Sequence, residues 1–127
     1  MKELDEKLKL LDIQIIGSIF FIVSLLISIT LTLNQRKYTL HQKPLFNAKT
    51  TYLISNANRL LVLIIVSTFL YISYEQRKLA KIKGSNVNLN NLDVFAGSLS
   101  VISAIIVLYI TANSPVEDAL NIENPNI

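Results

Sequence analysis

Three long stretches of this sequence carry no charged residue, and they limit what the chain can fold into more than any other feature. The stretches are residues 13–35, 60–74 and 94–116, so every Lys, Arg, Asp and Glu lies outside them. A helix of a water-soluble domain has a polar face on which charge recurs every third or fourth residue. The uncharged stretches therefore exclude an ordinary water-soluble domain, although the overall hydrophobic content of 51% is close to the globular range.

The uncharged stretches match the length of membrane-spanning helices, because a bilayer core about 30 Å thick needs about 20 helical residues. The sequence predicts an all-α integral membrane protein with three transmembrane helices, at residues 13–33, 53–74 and 94–112. The second span is less clean, because it is free of charge only from residue 60 onward. The spans form a single domain over residues 1–116. An acidic, Asn-rich tail follows at 117–127, and we expect no ordered structure in it.

The distribution of lysine and arginine predicts the orientation, because cytoplasmic loops carry an excess of these residues. The N-terminal tail has three and each connection between spans has four, whereas none follows Asn113. Placing the N-terminus and the second connection in the cytoplasm gives that side the excess. We therefore expect a cytoplasmic N-terminus and an external C-terminus. The mixed charges before the first span are not typical of a cleaved signal peptide, so we expect this span to remain as an anchor.

Helix signals extend the first two helices beyond the membrane. Nothing interrupts the helical pattern from Lys2 to Leu33, so helix 1 is predicted to begin in the cytoplasm. Helix 2 is predicted to start with a cap at Thr50 or Thr51 and to continue to a stop at Gly84. Both helices are then longer than the bilayer requires.

The cytoplasmic extensions of helices 1 and 2 carry complementary charges. Helix 1 contributes acidic residues that include Asp12, and helix 2 contributes Arg77, Lys78, Lys81 and Lys83. As antiparallel neighbours they are predicted to form a short stalk, with leucines of helix 1 packed on helix 2 (Leu4, Leu8 and Leu11 on Leu79 and Ile82). The alternative is that the basic residues only set the topology or contact anionic lipid headgroups.

Small residues recur along two of the spans at helical spacing. They are Gly17, Ser24 and Ser28 in span one, and Ala96, Ser100 and Ala104 in span three. Small side chains let helix backbones approach closely inside a membrane. The pattern predicts packing between spans one and three or between protomers, with a polar pore lining as the alternative.

A polar group of Asn56, Asn58 and Arg59 is the most unusual feature of the apolar zone. Arginine is costly inside a bilayer and often functional there. In the predicted topology Arg59 is close enough to the outer end of its span to extend to the interface. The alternative is a polar cluster with a structural or binding role.

The sequence offers no support for catalysis. It has no cysteine and one histidine, His41, which falls in a loop. It has no carboxylate pair within the spans and no Gly-rich phosphate loop. We expect no catalytic residue, no metal and no cofactor, and no small-molecule substrate is evident. The net charge of +3 is too small and too scattered to indicate nucleic-acid binding.

These observations favour a small non-enzymatic protein of the cell membrane that acts through helix–helix contacts. Its partners would be the lipid bilayer and either another membrane protein or itself, with a role as accessory subunit, assembly factor or small oligomer. A holin-like pore-forming protein is the first alternative, and a bacteriocin-immunity-like protein is the second. The excess of Lys over Arg and the abundance of Ile and Asn are common in bacteria with AT-rich genomes.

Overall fold

The described part of the chain, residues 2–120 of a computed structural model, consists of helices joined by short connections. Helix α1 spans Lys2–Thr39, α2 spans Ala48–Ile82 and α3 spans Asn88–Asn113. A short 3-10 helix at Val116–Leu120, here called the C-terminal turn, follows α3. All three α-helices are long and apolar enough to cross a bilayer. The predicted all-α class and the three membrane-length helices are therefore confirmed, and the chain has the form of a multi-pass membrane protein.

The helix ends differ from the sequence expectation on one side of α2. Its cap is Asn47, whose side chain accepts a 2.7 Å hydrogen bond from the backbone N–H of Thr50, whereas Thr50 and Thr51 lie inside the helix. An asparagine oxygen caps free N–H groups at least as well as a threonine hydroxyl does. The other end of α2 meets the expectation, since Gly84 follows it with a φ of +75°. That left-handed geometry suits glycine at a helix stop.

Helix α2 lies between the other two helices and runs antiparallel to both. It packs along α1 on one side and along α3 on the other, while α1 and α3 do not pack on each other within residues 2–120. The expected packing between spans one and three is therefore wrong for a single copy of the chain. We call the end of the bundle that holds Lys2, Ile82 and Asn88 the lower end. The opposite end, with Thr39 and Ala48, is the upper end.

The contact between α1 and α2 follows a seven-residue repeat. The buried positions on α1 include Leu10, Gly17, Ser24 and Leu31, and those on α2 include Thr51, Asn58, Ile65, Ile72 and Leu79. A repeat of seven keeps one stripe of each helix in contact when the two helices wind around each other with a left-handed twist. The polar side chains of this stripe lie in its upper half, together with the fully buried Leu31, and the lower half holds apolar side chains and Gly17.

The C-terminal turn folds back over the upper end of the bundle. It contacts α2 and, to a lesser extent, α1, and its last residues, Ala119 and Leu120, are buried. The expectation of a tail without ordered structure is wrong for residues 117–120, because the side chains of Ala119 and Leu120 pack on the bundle. Residues 121–127 of the predicted tail lie outside the described residues.

Candidate functional site

A buried group of three polar side chains joins α1 to α2 in the upper half of the bundle. The hydroxyl of Ser24 donates a 2.7 Å hydrogen bond to Oδ1 of Asn58, and Nδ2 of Asn58 donates a 3.0 Å bond to the hydroxyl of Ser28. Ser24 and Asn58 are each only 2% exposed. We call these three residues the serine–asparagine clasp. Inside a bilayer such interhelical bonds stabilise packing, because lipid tails supply no hydrophobic force between helices.

A second polar contact lies closer to the upper end, where the chain turns from α1 into α2. Nδ2 of Asn34 donates a 2.9 Å bond to the hydroxyl of Thr51, and Oδ1 of Asn34 accepts a 2.9 Å bond from the backbone N–H of Phe46. The hydroxyl of Thr51 in turn donates a 2.8 Å bond to the backbone oxygen of Asn47. One fully buried asparagine therefore fixes both the next helix and the connection that leads into it.

The predicted polar group of Asn56, Asn58 and Arg59 is divided among different faces of α2. Asn58 points to α1 as described, while Nδ2 of Asn56 donates to the backbone oxygen of Tyr52, one turn earlier in the same helix. Arg59 is half-buried and lies against α3. Successive helical residues differ by about 100° in direction, so three residues so close in sequence cannot share one face. They do not form a single cluster.

A groove of about 400 Å³ runs between α2 and α3 beside Arg59. Its polar lining includes Ser100 and Ser103, and its apolar walls include Val62 and Val66. We call it the α2–α3 groove. It brings the Arg59 side chain of the predicted polar group together with two members of the small-residue stripe on span three, Ser100 and Ala104.

The small residues of span one lie on the face of α1 that contacts α2. Gly17 faces the Phe69 ring of α2, and a Cβ atom on Gly17 would come within 3.1 Å of Cε1 of that ring. Ser24 and Ser28 belong to the clasp. The structure thus brings this stripe against α2 rather than against span three.

The stripe predicted on span three is only partly in contact with α2. Ala104 is buried there, whereas Ala96 and Ser100 are exposed. The two buried residues of α3, Ala104 and Thr111, are seven residues apart instead, and Gly97, which faces α2, lies seven residues before Ala104. A Cβ atom on Gly97 would lie 3.0 Å from Cδ1 and 3.6 Å from Cα of Leu70, so the two backbones approach closely there.

The lower end brings the start of α1 and the end of α2 together, as expected for the stalk. Nζ of Lys83 lies 2.5 Å from Oε1 of Glu3. Leu10, Ile72 and Leu79 form a buried apolar cluster. Of the residues proposed for this contact, Leu79 is confirmed. The others are wrong, because Leu4, Leu8 and Leu11 are each about half exposed and Ile82 is 74% exposed. The seven-residue repeat turns Leu10, not its neighbours, toward α2.

The expected pairing of Asp12 with the basic residues of α2 does not appear either. Asp12 is exposed, and Nε of Arg77 donates a hydrogen bond to Oδ1 of Asn91 on α3. Lys78 and Lys81 are exposed. Within residues 2–120, the lower end therefore combines the apolar cluster with the ion pair of Lys83 and Glu3 and the hydrogen bond of Arg77 to Asn91.

The chain matches no protein-family model, no curated protein and no solved structure. Among residues 2–120 no group of three His, Cys, Asp or Glu side chains is placed to hold a metal ion. The clasp and the contacts of Asn34 consist of neutral amides and hydroxyls, which bind by hydrogen bonding and position helices relative to one another. The α2–α3 groove places the charged side chain of Arg59 beside an open volume, next to the uncharged stretches of α2 and α3.

Sequence reasoning missed Asn34, Gly97 and Leu10, and it gave Thr51 only the role of a helix cap. The signal that identifies Leu10, Thr51 and Gly97 is the seven-residue recurrence of positions such as Leu10, Gly17, Ser24 and Leu31, whereas Asn34 lies outside this series. In an apolar helix this recurrence is hard to see, because the exposed positions are as hydrophobic as the buried ones.

Proposed function

We propose that the protein is inserted in a bacterial cell membrane and acts without enzymatic activity, through helix–helix contacts in the plane of the bilayer. Its role is that of an accessory subunit, an assembly factor or a small oligomer. The N-terminus and the lower end lie in the cytoplasm, and the C-terminus lies outside. The excess of Lys and Arg at the N-terminal tail and the second connection supports this orientation.

The α2–α3 groove is the observation that carries this proposal. It places Arg59, Ser100 and Ser103 beside apolar walls, at a level where the chain is otherwise free of charge. Polar groups that face hydrocarbon are costly, and in membrane proteins they are directed to the interior of a bundle or to another helix. A helix of a partner that enters the groove removes these groups from lipid.

The exposed small residues beside the groove support the same conclusion. Ala96 and Ser100 leave a shallow surface on α3 next to the groove. Small side chains allow the backbone of a second helix to approach closely, and the resulting van der Waals packing stabilises helix association in lipid. Because α1 and α3 do not meet, no other α-helix within residues 2–120 covers this surface of α2 and α3.

The proposal is tested by cysteine cross-linking, for which the chain is suited because it contains no cysteine. Ser100→Cys places a thiol at the groove. Ile102→Cys places one at nearly the same depth on α3 but about 160° around the helix, and that position is also exposed. Both variants are expressed at native level, and the membranes are treated with an oxidant and with a thiol-reactive cross-linker.

The expected result is a cross-linked product with Ser100→Cys and little or none with Ile102→Cys. Mass spectrometry of that product then distinguishes a second copy of this chain from a different membrane protein. Equal cross-linking of the two variants, or none from either, would contradict a helix partner in the groove.

Membrane potential distinguishes this function from the pore-forming alternative. Induced expression is expected to leave the potential unchanged while the protein accumulates, because an accessory protein opens no conducting path. Abrupt depolarisation at a fixed time after induction, followed by lysis, would contradict the proposal and favour a holin-like protein.

A further inference from the structure

The lower end of the bundle holds a second groove, of about 330 Å³, between the start of α1 and the end of α2. We call it the lower groove. Its floor is apolar and includes Leu10 and Leu79, which belong to the buried cluster of this end. Its polar lining comes from Lys7, Gln76, Lys83 and Ser85. Two ammonium groups from different helices therefore stand beside one apolar floor.

The lower groove lies at the boundary of the uncharged zone. Leu10 precedes the first uncharged stretch by about one helical turn, and Gln76 follows the second uncharged stretch by less than one turn. In a bilayer this is the depth at which the acyl chains end and the phosphate groups begin. A ligand in the groove would therefore have an apolar part toward the membrane and a polar head toward the lysines.

We propose that the lower groove binds the headgroup of an anionic phospholipid. The phosphate lies between the ammonium groups of Lys7 and Lys83, and the first acyl carbons lie on the leucine floor. The amide of Gln76 and the hydroxyl of Ser85 supply neutral hydrogen bonds to the headgroup. The proposal rests on the membrane insertion proposed above, but it does not depend on a partner in the α2–α3 groove.

The ion pair between Lys83 and Glu3 gives the proposal an unusual consequence. Both side chains are substantially exposed, at 40% and 48%, so the pair is open to competition by another anion. The phosphate of a lipid competes with the Glu3 carboxylate for the same ammonium group. Removing the carboxylate therefore strengthens lipid binding, whereas removing the lysines weakens it.

The test compares lipid binding by the purified full-length protein and its variants. Native mass spectrometry of the protein in detergent, titrated with phosphatidylglycerol or with phosphatidylcholine, counts the lipids retained. The groove variant is Lys7→Gln with Lys83→Gln. The matched control is Lys9→Gln with Lys81→Gln, which removes the same charge from the same two helices at exposed positions that do not line the groove.

The groove variant is expected to lose about twenty-fold in affinity for phosphatidylglycerol, since a basic residue at a membrane surface contributes about five-fold. The control variant is expected to lose less than about three-fold, and Glu3→Gln to gain about two- to five-fold. Phosphatidylcholine binding is expected to stay the same in all of them. Thermal unfolding in neutral detergent checks that the groove variant still folds, and Lys7→Gln alone, which leaves the ion pair intact, serves if it does not.

Equal losses in the groove variant and the control would overturn the proposal, because they would show attraction to charge without a site. Displacement of phosphatidylglycerol by millimolar inorganic phosphate would also overturn it, because a free anion would then be the ligand. A wild-type protein that does not incorporate into phospholipid nanodiscs would instead contradict the membrane insertion on which the proposal rests.

Discussion

The hydroxyl of Ser24 donates a 2.7 Å hydrogen bond to Oδ1 of Asn58, across the contact between two helices and over 34 residues of sequence. Asn58 uses its other polar atom to donate to Ser28, so one amide bridges two serines one turn apart on α1. The clasp fixes the rotation of α1 about its own axis relative to α2. It also favours one relative height, because a shift by one turn would leave the Asn58 amide with only one of its two serine partners.

Replacing Asn58 by alanine is expected to destabilise the α1–α2 contact by about 1–3 kcal/mol, since each interhelical hydrogen bond in a membrane protein contributes on average about 0.6 and at most about 1.7 kcal/mol. The matched control is Asn56→Ala, because Asn56 donates only to its own helix. Denaturant-induced unfolding in mixed micelles measures both. Equal destabilisation by the two variants would contradict the clasp as the main polar contact.

The second prediction concerns which face of α3 contacts α2. Gly97→Leu is expected to separate the helices and to destabilise the fold by about 1–3 kcal/mol or more, because Leu70 leaves no room for a larger side chain. Ala96→Leu is expected to change stability by less than about 0.5 kcal/mol, because Ala96 is exposed. The same unfolding measurement applies. A larger effect at Ala96 would favour the four-residue stripe predicted from sequence over the seven-residue contact.

A third prediction follows from the polar contact at the connection. Asn34→Ala is expected to release residues 40–47 from the bundle, because it removes the acceptor of the Phe46 N–H group and the donor to Thr51. Chymotrypsin is then expected to cleave after Phe46 several-fold faster in detergent solution, because a released segment is open to the protease. Gln35→Ala is the control, since Gln35 is buried beside Asn34 but its Nε2 atom makes no hydrogen bond in the described structure. Cleavage at the same rate in both variants would contradict this role of Asn34.

The sequence was sufficient for the number of helices and for most of their length, because runs without charge and the stop at Gly84 are strong local signals. It was not sufficient for the contacts. Ala96 and Gly97 are equally small and adjacent in sequence, yet only Gly97 approaches α2 closely. In a water-soluble protein the hydrophobic pattern distinguishes the two faces of a helix. In this chain both faces are apolar, so the choice depends on how closely each face of α3 packs on α2, and Gly97 is the residue that approaches Leu70.

The same limitation explains why the sequence predicted the wrong leucines of α1 for the contact at the lower end. Leu8 and Leu10 are chemically identical, and the spacing of Leu4, Leu8 and Leu11 is a regular helical pattern that predicts a contact face. The contact is set by the register of the whole helix, in which Leu10 lies one repeat before Gly17. Local spacing near the end of a helix contains no information about that register.

Paired cysteines check this register directly. Leu10→Cys with Leu79→Cys is expected to form a disulfide readily, because both residues belong to one buried cluster. Leu8→Cys with Leu79→Cys is expected to cross-link poorly, because Leu8 points away from α2 and is 51% exposed. Membranes that contain either variant are oxidised, and the chain is then cleaved within residues 40–47. A gel shows whether the two fragments remain linked by a disulfide. More efficient cross-linking of the Leu8 pair would mean that α1 is rotated away from the orientation in which Leu10 faces α2.

The last prediction concerns orientation, on which the roles proposed for both ends of the bundle depend. Basic residues are frequent in the N-terminal tail and in the second connection and are missing after Asn113, so a C-terminal alkaline phosphatase fusion is expected to be active and a C-terminal green fluorescent protein fusion dark. Fusions within the second connection, after Gly84, are expected to give the opposite result. If these basic residues determine the orientation, replacing them by glutamine reduces the charge difference between the two sides. A variant with glutamine at Arg77, Lys78, Lys81 and Lys83 is therefore expected to insert in both orientations. A fluorescent, phosphatase-inactive C-terminus in the unaltered chain would reverse the topology and place the lower groove in the outer leaflet.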